Sequence, residues 1–268
     1  MNLYDETKIL MQKYDVKPNK KLGQNFLIDE ETLDVITQDI TKDDVIIEIG
    51  PGLGTLTKKL LEKAKKVYAI ELDLKMVEIL KDRFKLYKNI EIINEDILKL
   101  DINQIAPKAK IVANLPYYIT TSIITKILKA NIKDITILIQ KEVADRICAL
   151  PSEKEAGAIT YFVYYYADSK IIKNVSSECF IPSPKVESSV VRITKLEKPR
   201  VKVKNEELFF KLIKENFTKR RKNILNSLSN VIEKEKLKSI LEELNIDEKT
   251  RGENFTIEQF AKITNKIN

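Results

Sequence analysis

Seven consecutive residues constrain this chain more than any other feature. Glu48-Ile49-Gly50-Pro51-Gly52-Leu53-Gly54 overlaps the end of a β-branched apolar run, Val45–Ile49. It precedes Thr55–Lys63, where apolar residues recur at helical spacing. Three of only six glycines in 268 residues fall here, at positions where the backbone must turn tightly or admit a ligand. A strand that runs through such a loop into a helix is the first half of a right-handed crossover. It commits the fold to a parallel sheet covered by helices.

The same alternation continues downstream. Val67–Ile70, Ile90–Asn94, Ile111–Ala113 and Ile135–Gln140 read as short buried strands, with Lys75–Phe84 as a helix between two of them. After residue 141 the pattern changes: Glu142–Leu150 and Glu155–Ala167 read as helices, and Ile171–Val175 and Lys185–Thr194 as strands. These strands flank the proline-bearing turn Phe180-Ile181-Pro182-Ser183-Pro184, so the sheet is expected to end in an antiparallel edge. From Lys198 only helices follow: Glu206–Phe217, Arg221–Ser229, Lys234–Leu244 and Thr256–Asn265. The expected division is an α/β domain over 1–197, with residues 1–40 as its N-terminal segment, and a small all-helical domain over 198–268. No internal repeat is visible.

Composition removes whole chemistries. With no histidine, the Ser-His-Asp and Cys-His arrangements and imidazole acid–base catalysis are excluded, and two cysteines cannot build a four-thiolate zinc site or an iron–sulfur cluster. No metal is expected. The N-terminus carries Asp5 and Glu6 where a signal peptide has its basic region, and the strongest apolar run is Ile135–Ile139, far short of a membrane span. A cytoplasmic location with no membrane contact is the expectation. The net charge of +7 is unevenly placed. Residues 1–50 hold 6 basic and 11 acidic side chains, whereas Arg192–Lys222 holds 12 basic and 4 acidic, centred on Lys219-Arg220-Arg221-Lys222. Nucleic-acid phosphate suits such a cluster, although a basic run alone can equally be a solvated helix face.

Glu71 ends the second strand, 17 residues after Gly54, where a carboxylate can accept hydrogen bonds from ribose hydroxyls. With the glycine loop it indicates an adenosine-bearing cofactor. The spacing is Gly-x-Gly-x-Gly; a dinucleotide fingerprint would need glycine where Thr55 stands, which argues against NAD. The loop instead resembles the first motif of S-adenosylmethionine-dependent methyltransferases. Asp96, just after the third strand, then fits as acceptor for the adenine amine of the cofactor, or stands as a simple turn cap. The fourth strand runs into Asn114-Leu115-Pro116-Tyr117, which resembles the motif used by methyltransferases of exocyclic amines. In that motif an amide oxygen and a main-chain carbonyl accept the two amine hydrogens, proline fixes the bend, and the aromatic ring stacks on the base.

From end to end the chain resembles the ribosomal RNA adenine dimethyltransferases. The resemblance rests on Lys21-Leu22-Gly23-Gln24-Asn25-Phe26-Leu27, the glycine loop, Asn114–Tyr117, and Gln140-Lys141-Glu142-Val143-Ala144-Asp145-Arg146. The late block Phe180–Val191 and the basic helix Phe217–Leu225 complete it. It implies a Rossmann-like class I S-adenosylmethionine methyltransferase sheet, mostly parallel with an antiparallel edge, and a small C-terminal helical domain. It implies that Asn25, Leu27, Gly50, Glu71, Asp96 and Asn114, together with Gly52 and Gly54 of the loop, line the S-adenosylmethionine site. Asn114, Leu115 and Pro116 would hold the target adenine, with Tyr117 and Phe180 sandwiching it. Lys20, Lys21, Lys219, Arg220, Arg221 and Lys222 are the expected RNA contacts. The implied substrate is two adjacent adenosines in the hairpin near the 3′ end of small-subunit (16S) ribosomal RNA, each methylated twice, within a pre-assembled small subunit and by a monomer. Tyr118 departs from the family, which usually has asparagine there, and so does Ser152-Glu153, where Gly-Ser is usual. The competing readings are the related large-subunit (23S) enzyme of macrolide resistance and a non-catalytic assembly factor on the same scaffold.

Overall fold

The computed structural model describes residues 2–19, 22–219 and 222–267. In chain order its strands are β1 (Phe26–Leu27), β2 (Val45–Ile49), β3 (Lys66–Glu71), β4 (Ile90–Asn94), β5 (Lys110–Asn114), β6 (Asp134–Gln140), β7 (Ala167–Val175), β8 (Phe180–Ile181) and β9 (Ser188–Lys195). Seven of them form one sheet in the order β4-β3-β2-β5-β6-β9-β7. Pairing is parallel from β4 through β6, and β9 runs antiparallel to β6 with Ile137 opposite Val191. The mostly parallel sheet with an antiparallel edge is therefore present, as the alternation of strands and helices requires.

Burial explains the order. In β2, hydrogen-bonded on both sides, Ile46, Ile47 and Ile49 are all buried, as a central parallel strand covered on both faces must be. The crossover helices Thr55–Lys63 and Leu74–Arg83 supply that cover through Leu56, Leu60 and Leu61 and through Met76, Val77, Ile79 and Leu80. Several helices start where a short acid or amide side chain accepts from the first turn: Asn2 from the Asp5 amide, Asp29 from Thr32, Asp73 from Lys75. Helices Leu3–Lys13, Glu30–Thr37 and Thr120–Lys129 lie outside the set expected from the sequence. So does the antiparallel pair β1–β8, which joins Leu27 to Phe180.

The chain forms two compact units. One holds Met1–Ala144 and Ser169–Lys195; the other holds Asp145–Asp168 and Leu196–Asn268. The expected boundary near residue 197 thus needs one amendment, because 145–168 belongs with the C-terminal helices. Tyr161 and Tyr165, on the helix Ala158–Tyr166, are buried in one cluster with Phe209, Phe255 and Phe260, and the Tyr161 hydroxyl donates to the Phe255 carbonyl. Two boundaries shift for local reasons. The helix ends at Tyr166 and Ala167 opens β7. The expected helix Arg221–Ser229 is only Ile224–Ser227, because Asn223 caps it by accepting from the Asn226 amide. Among the described residues no helix is long and apolar enough to cross a membrane.

Candidate cofactor and substrate cleft

Sheet order sets out the site. Asp96 follows β4, Glu71 ends β3, Gly50 follows β2 and Asn114 ends β5, so four strands deliver these residues side by side along the carboxyl edge. The chain leaves β2 for β3 on one side, and β5 lies on the other. That is the switch point where open α/β sheets bind ligands. A cleft of about 1050 Å³, counting its open mouth, lies there. Asn25, Leu27, Gly50, Gly52, Glu71, Asp96, Asn114, Leu115, Pro116 and Tyr117 all line it.

The loop works through two of its glycines in different ways. Gly52 has φ +56°, and a Cβ on it would sit 3.2 Å from the Phe26 ring, a wall of the cleft. Gly54 has φ +83° and does not line the cleft. A Cβ there would lie 2.6 Å from Phe84, so Gly54 lets the loop close onto the helix Leu74–Arg83 and its C-cap Phe84. Its expected contact with the cofactor is therefore replaced by a packing role. As the N-cap of Thr55–Lys63 it offers no side-chain cap.

Glu71 is buried, and its two carboxylate oxygens accept from the Gly52 amide at 3.1 Å and the Asp73 amide at 2.9 Å. Burial raises its pKa, and these backbone donors oppose the rise. A carboxylate has about four acceptor positions, so capacity remains for two further hydroxyls. Asp96 serves its own turn, with Oδ1 accepting from the Leu98 amide at 2.9 Å, yet it stays half-buried in the cleft wall. Glu48 also stands in the cleft wall, a placement the sequence alone does not reveal. Its side chain is fully buried in the cleft wall and neither oxygen has a hydrogen-bond partner among the described residues. Burial pushes its pKa up to about 8; Thr57 faces it and only partly offsets this, and nearby Glu71 adds to the rise. The available signal was an acid inside an otherwise apolar strand.

On the other side of the cleft, Asn114 Nδ2 donates to the Asn25 carbonyl at 3.1 Å, and Asn25 Nδ2 donates to the Gly23 carbonyl at 3.1 Å. This commits the nitrogen end of the Asn114 amide and leaves Oδ1 as an acceptor. The Leu115 amide is tied to the Leu138 carbonyl at 3.0 Å. Pro116 keeps the chain extended into the tight turn Tyr117–Ile119, which Thr120 Oγ1 pins by donating to the Pro116 carbonyl at 3.1 Å. The Tyr117 hydroxyl shares a 2.6 Å hydrogen bond with Ser188 Oγ, which fixes the ring; burial raises its pKa.

Phe180 is not brought to the cleft. It is 2% exposed, lies opposite Leu27 in the β1–β8 pair, and packs with Leu27, Leu33 and Val190. Its expected place beside the target base is corrected accordingly: in this conformation the ring is core. The cleft wall also includes Phe26 and Tyr118. Four acids line it, Glu48, Glu71, Glu95 and Asp96, with no lysine or arginine among the described residues.

In the helical unit, Lys219 pairs with Glu215 at 3.0 Å, while Lys222 is exposed. Lys20, Lys21, Arg220 and Arg221 lie outside the described residues.

The family model described as ribosomal RNA adenine dimethylase matches residues 16–268. A relative from Clostridium acetobutylicum is 50% identical and one from Clostridium botulinum 49%, each alignment covering 97% of this chain and 98% of the relative. Both bear the name ribosomal RNA small subunit methyltransferase A. Among solved structures, a dimethyladenosine transferase from Plasmodium falciparum superposes with a TM-score of 0.75 at 28% identity, covering 89% of this chain and 95% of that one. The 23S rRNA methyltransferase ErmE superposes at 0.69 with 24% identity, covering 90% and 99% of the two chains, and shares the fold.

Proposed function

Because the chain belongs to the ribosomal RNA adenine dimethylase family, we propose that it dimethylates the 6-amino groups of two adjacent adenosines in the hairpin near the 3′ end of small-subunit rRNA. S-adenosylmethionine is the proposed methyl donor. The observation that carries the reading is the Asn114 amide, whose nitrogen is committed to Asn25 and whose oxygen is left to accept. The name borne by relatives near 50% identity favours the small subunit over the large one.

The residues present fit that donor. Its ribose hydroxyls suit the spare acceptor capacity of Glu71, its adenine suits Asp96, and Asn25, Leu27 and Gly50 would complete the hold. A cleft walled by acids with no described cation suits a positively charged ligand and is hostile to a pyrophosphate. When bound, the cofactor supplies a sulfonium-activated methyl group. An adenine amine is a weak nucleophile because its lone pair is delocalised into the ring. Asn114 Oδ1 and the Leu115 carbonyl would accept its two hydrogens and favour a pyramidal nitrogen with the lone pair turned towards the methyl group. Tyr117 would stack on the extruded base and offset part of its unstacking. The methylated nitrogen becomes strongly acidic, so its proton passes to water and no dedicated base is needed. Positioning and electrostatics thus supply most of the rate. Docking of the RNA is assigned to Lys20 and Lys21 and to the Lys219–Lys222 cluster.

The test uses unmethylated small and large ribosomal subunits incubated with methyl-labelled S-adenosylmethionine. Label in small-subunit rRNA as N6,N6-dimethyladenosine is the expected result. Label confined to the large subunit would favour the macrolide-resistance type of activity, and no label would favour an assembly factor.

A further inference from the structure

Tyr118 is an exposed ring on a rigid mount. In the turn Tyr117–Ile119 successive side chains point about 120° apart, so adjacent tyrosines diverge. Tyr117 turns inward to Ser188, whereas Tyr118 is 55% exposed and lines the mouth of the same cleft. Its hydroxyl makes no hydrogen bond with the described residues. The ring stands beside Gly23, where an added Cβ would lie 3.5 Å from Cδ1, with Pro116 and the Tyr117 amide at the same corner. Gly23 is the residue whose carbonyl holds Asn25, which in turn holds Asn114. The ring therefore stands beside the hydrogen-bonded residues that hold the group receiving the reacting amine, and an aromatic ring left half in water adds little to the fold.

We propose that Tyr118 is the stacking platform for the nucleotide flanking the reacting adenosine. This rests on the rRNA adenine reading above. Extruding one of two adjacent adenosines strips its neighbour of a stacking partner and leaves a purine face open to water. Tyr117 receives the extruded base; Tyr118, one residue further out on the same turn, replaces the missing stack. With Phe180 held in the core, these two rings are the tyrosines the cleft offers to bases. Because both adenosines react, each takes the flanking position in turn.

The test uses a hairpin RNA with 2-aminopurine beside a single target adenosine, and unmethylated small subunits as methyl acceptor. Wild type and Tyr118→Phe should quench the fluorophore on binding, and Tyr118→Ala should not. Tyr118→Ala should also raise KM for the subunits about tenfold, within the range of one base–aromatic stack, with cofactor affinity unchanged. Equal quenching by wild type and Tyr118→Ala, or no quenching by wild type, would overturn the proposal. Subunits that take label normally with an unchanged KM for Tyr118→Ala would overturn this proposal alone. Subunits that take no label from wild type would overturn the methyltransferase reading, and this one with it.

Discussion

At the amino edge of the central sheet Asp44 accepts from Lys110 at 2.8 Å and Asp39 pairs with Arg192. At the carboxyl edge Glu48, Glu71 and Asp96 face a cleft that holds no described cation. Asp44 is buried with a cation beside it, whereas Glu48 and Glu71 are buried with none among the described residues. Burying a carboxyl group without a cation is costly and raises its pKa, as at Glu48 and Glu71, so the edge with no cation among the described residues is the one we assign to a ligand. The acids at the other edge are structural.

Substitutions can break this contrast, and the largest effect is expected inside the cleft. Asn114→Ala should lower turnover by at least about a hundredfold, the scale of removing one hydrogen-bonding group aimed at the reacting centre, while calorimetry shows cofactor binding largely intact. Comparable activity would end the proposed mechanism. Next come the proposed RNA contacts. Replacing Arg220 and Arg221 together by alanine should weaken RNA binding and flatten its dependence on salt by roughly 0.9 for each phosphate no longer neutralised. An unchanged slope would return the cluster to a solvated face.

At the amino edge, Asp44→Asn should cost about 1 kcal/mol in urea unfolding by removing the charge paired with Lys110, which keeps its hydrogen bond to the Asp39 carbonyl, with no effect on cofactor affinity. Burial raises the Asp44 pKa, but Lys110 and the Thr41 amide outweigh it and the net shift is downward. Its contribution is therefore present near neutrality and lost as pH falls through the depressed value. Glu48 has the opposite sign. Its folded value near 8 lies above the ordinary 4.5, so the folded protein binds the proton more tightly. Cofactor-free stability should then fall as pH rises from about 4.5 through 8. Glu48→Gln, which is neutral throughout, should flatten that stretch of a plot of Tm against pH.

How far the sequence could be read depends on the range of the signal. The glycine loop, Glu71 at a strand end and the Asn114–Tyr117 corner were legible because each is a short stretch whose residue types dictate its geometry. The β1–β8 pair was not, since two residues on each side carry no periodicity and the partners Leu27 and Phe180 lie far apart in sequence. That pairing also buries Phe180, which its motif alone had suggested for the substrate. Segment 145–168 groups with the C-terminal helices because Tyr161 and Tyr165 share a core with Phe209 and Phe255, partners far off in sequence that no local pattern announces. Gly54 had the right residue type for the loop but acts on Phe84 behind it.

We hold that the acid-lined carboxyl edge is the cofactor site. Titrating S-adenosylmethionine into Glu71→Ala and Asp44→Asn side by side, with thermal melts confirming that both are folded, tests it most directly. Affinity should fall by roughly ten- to a hundredfold in Glu71→Ala, as expected for removing hydrogen bonds to a charged group, and remain at the wild-type value in Asp44→Asn. Equal affinities in the two variants, or a loss confined to Asp44→Asn, would contradict the account.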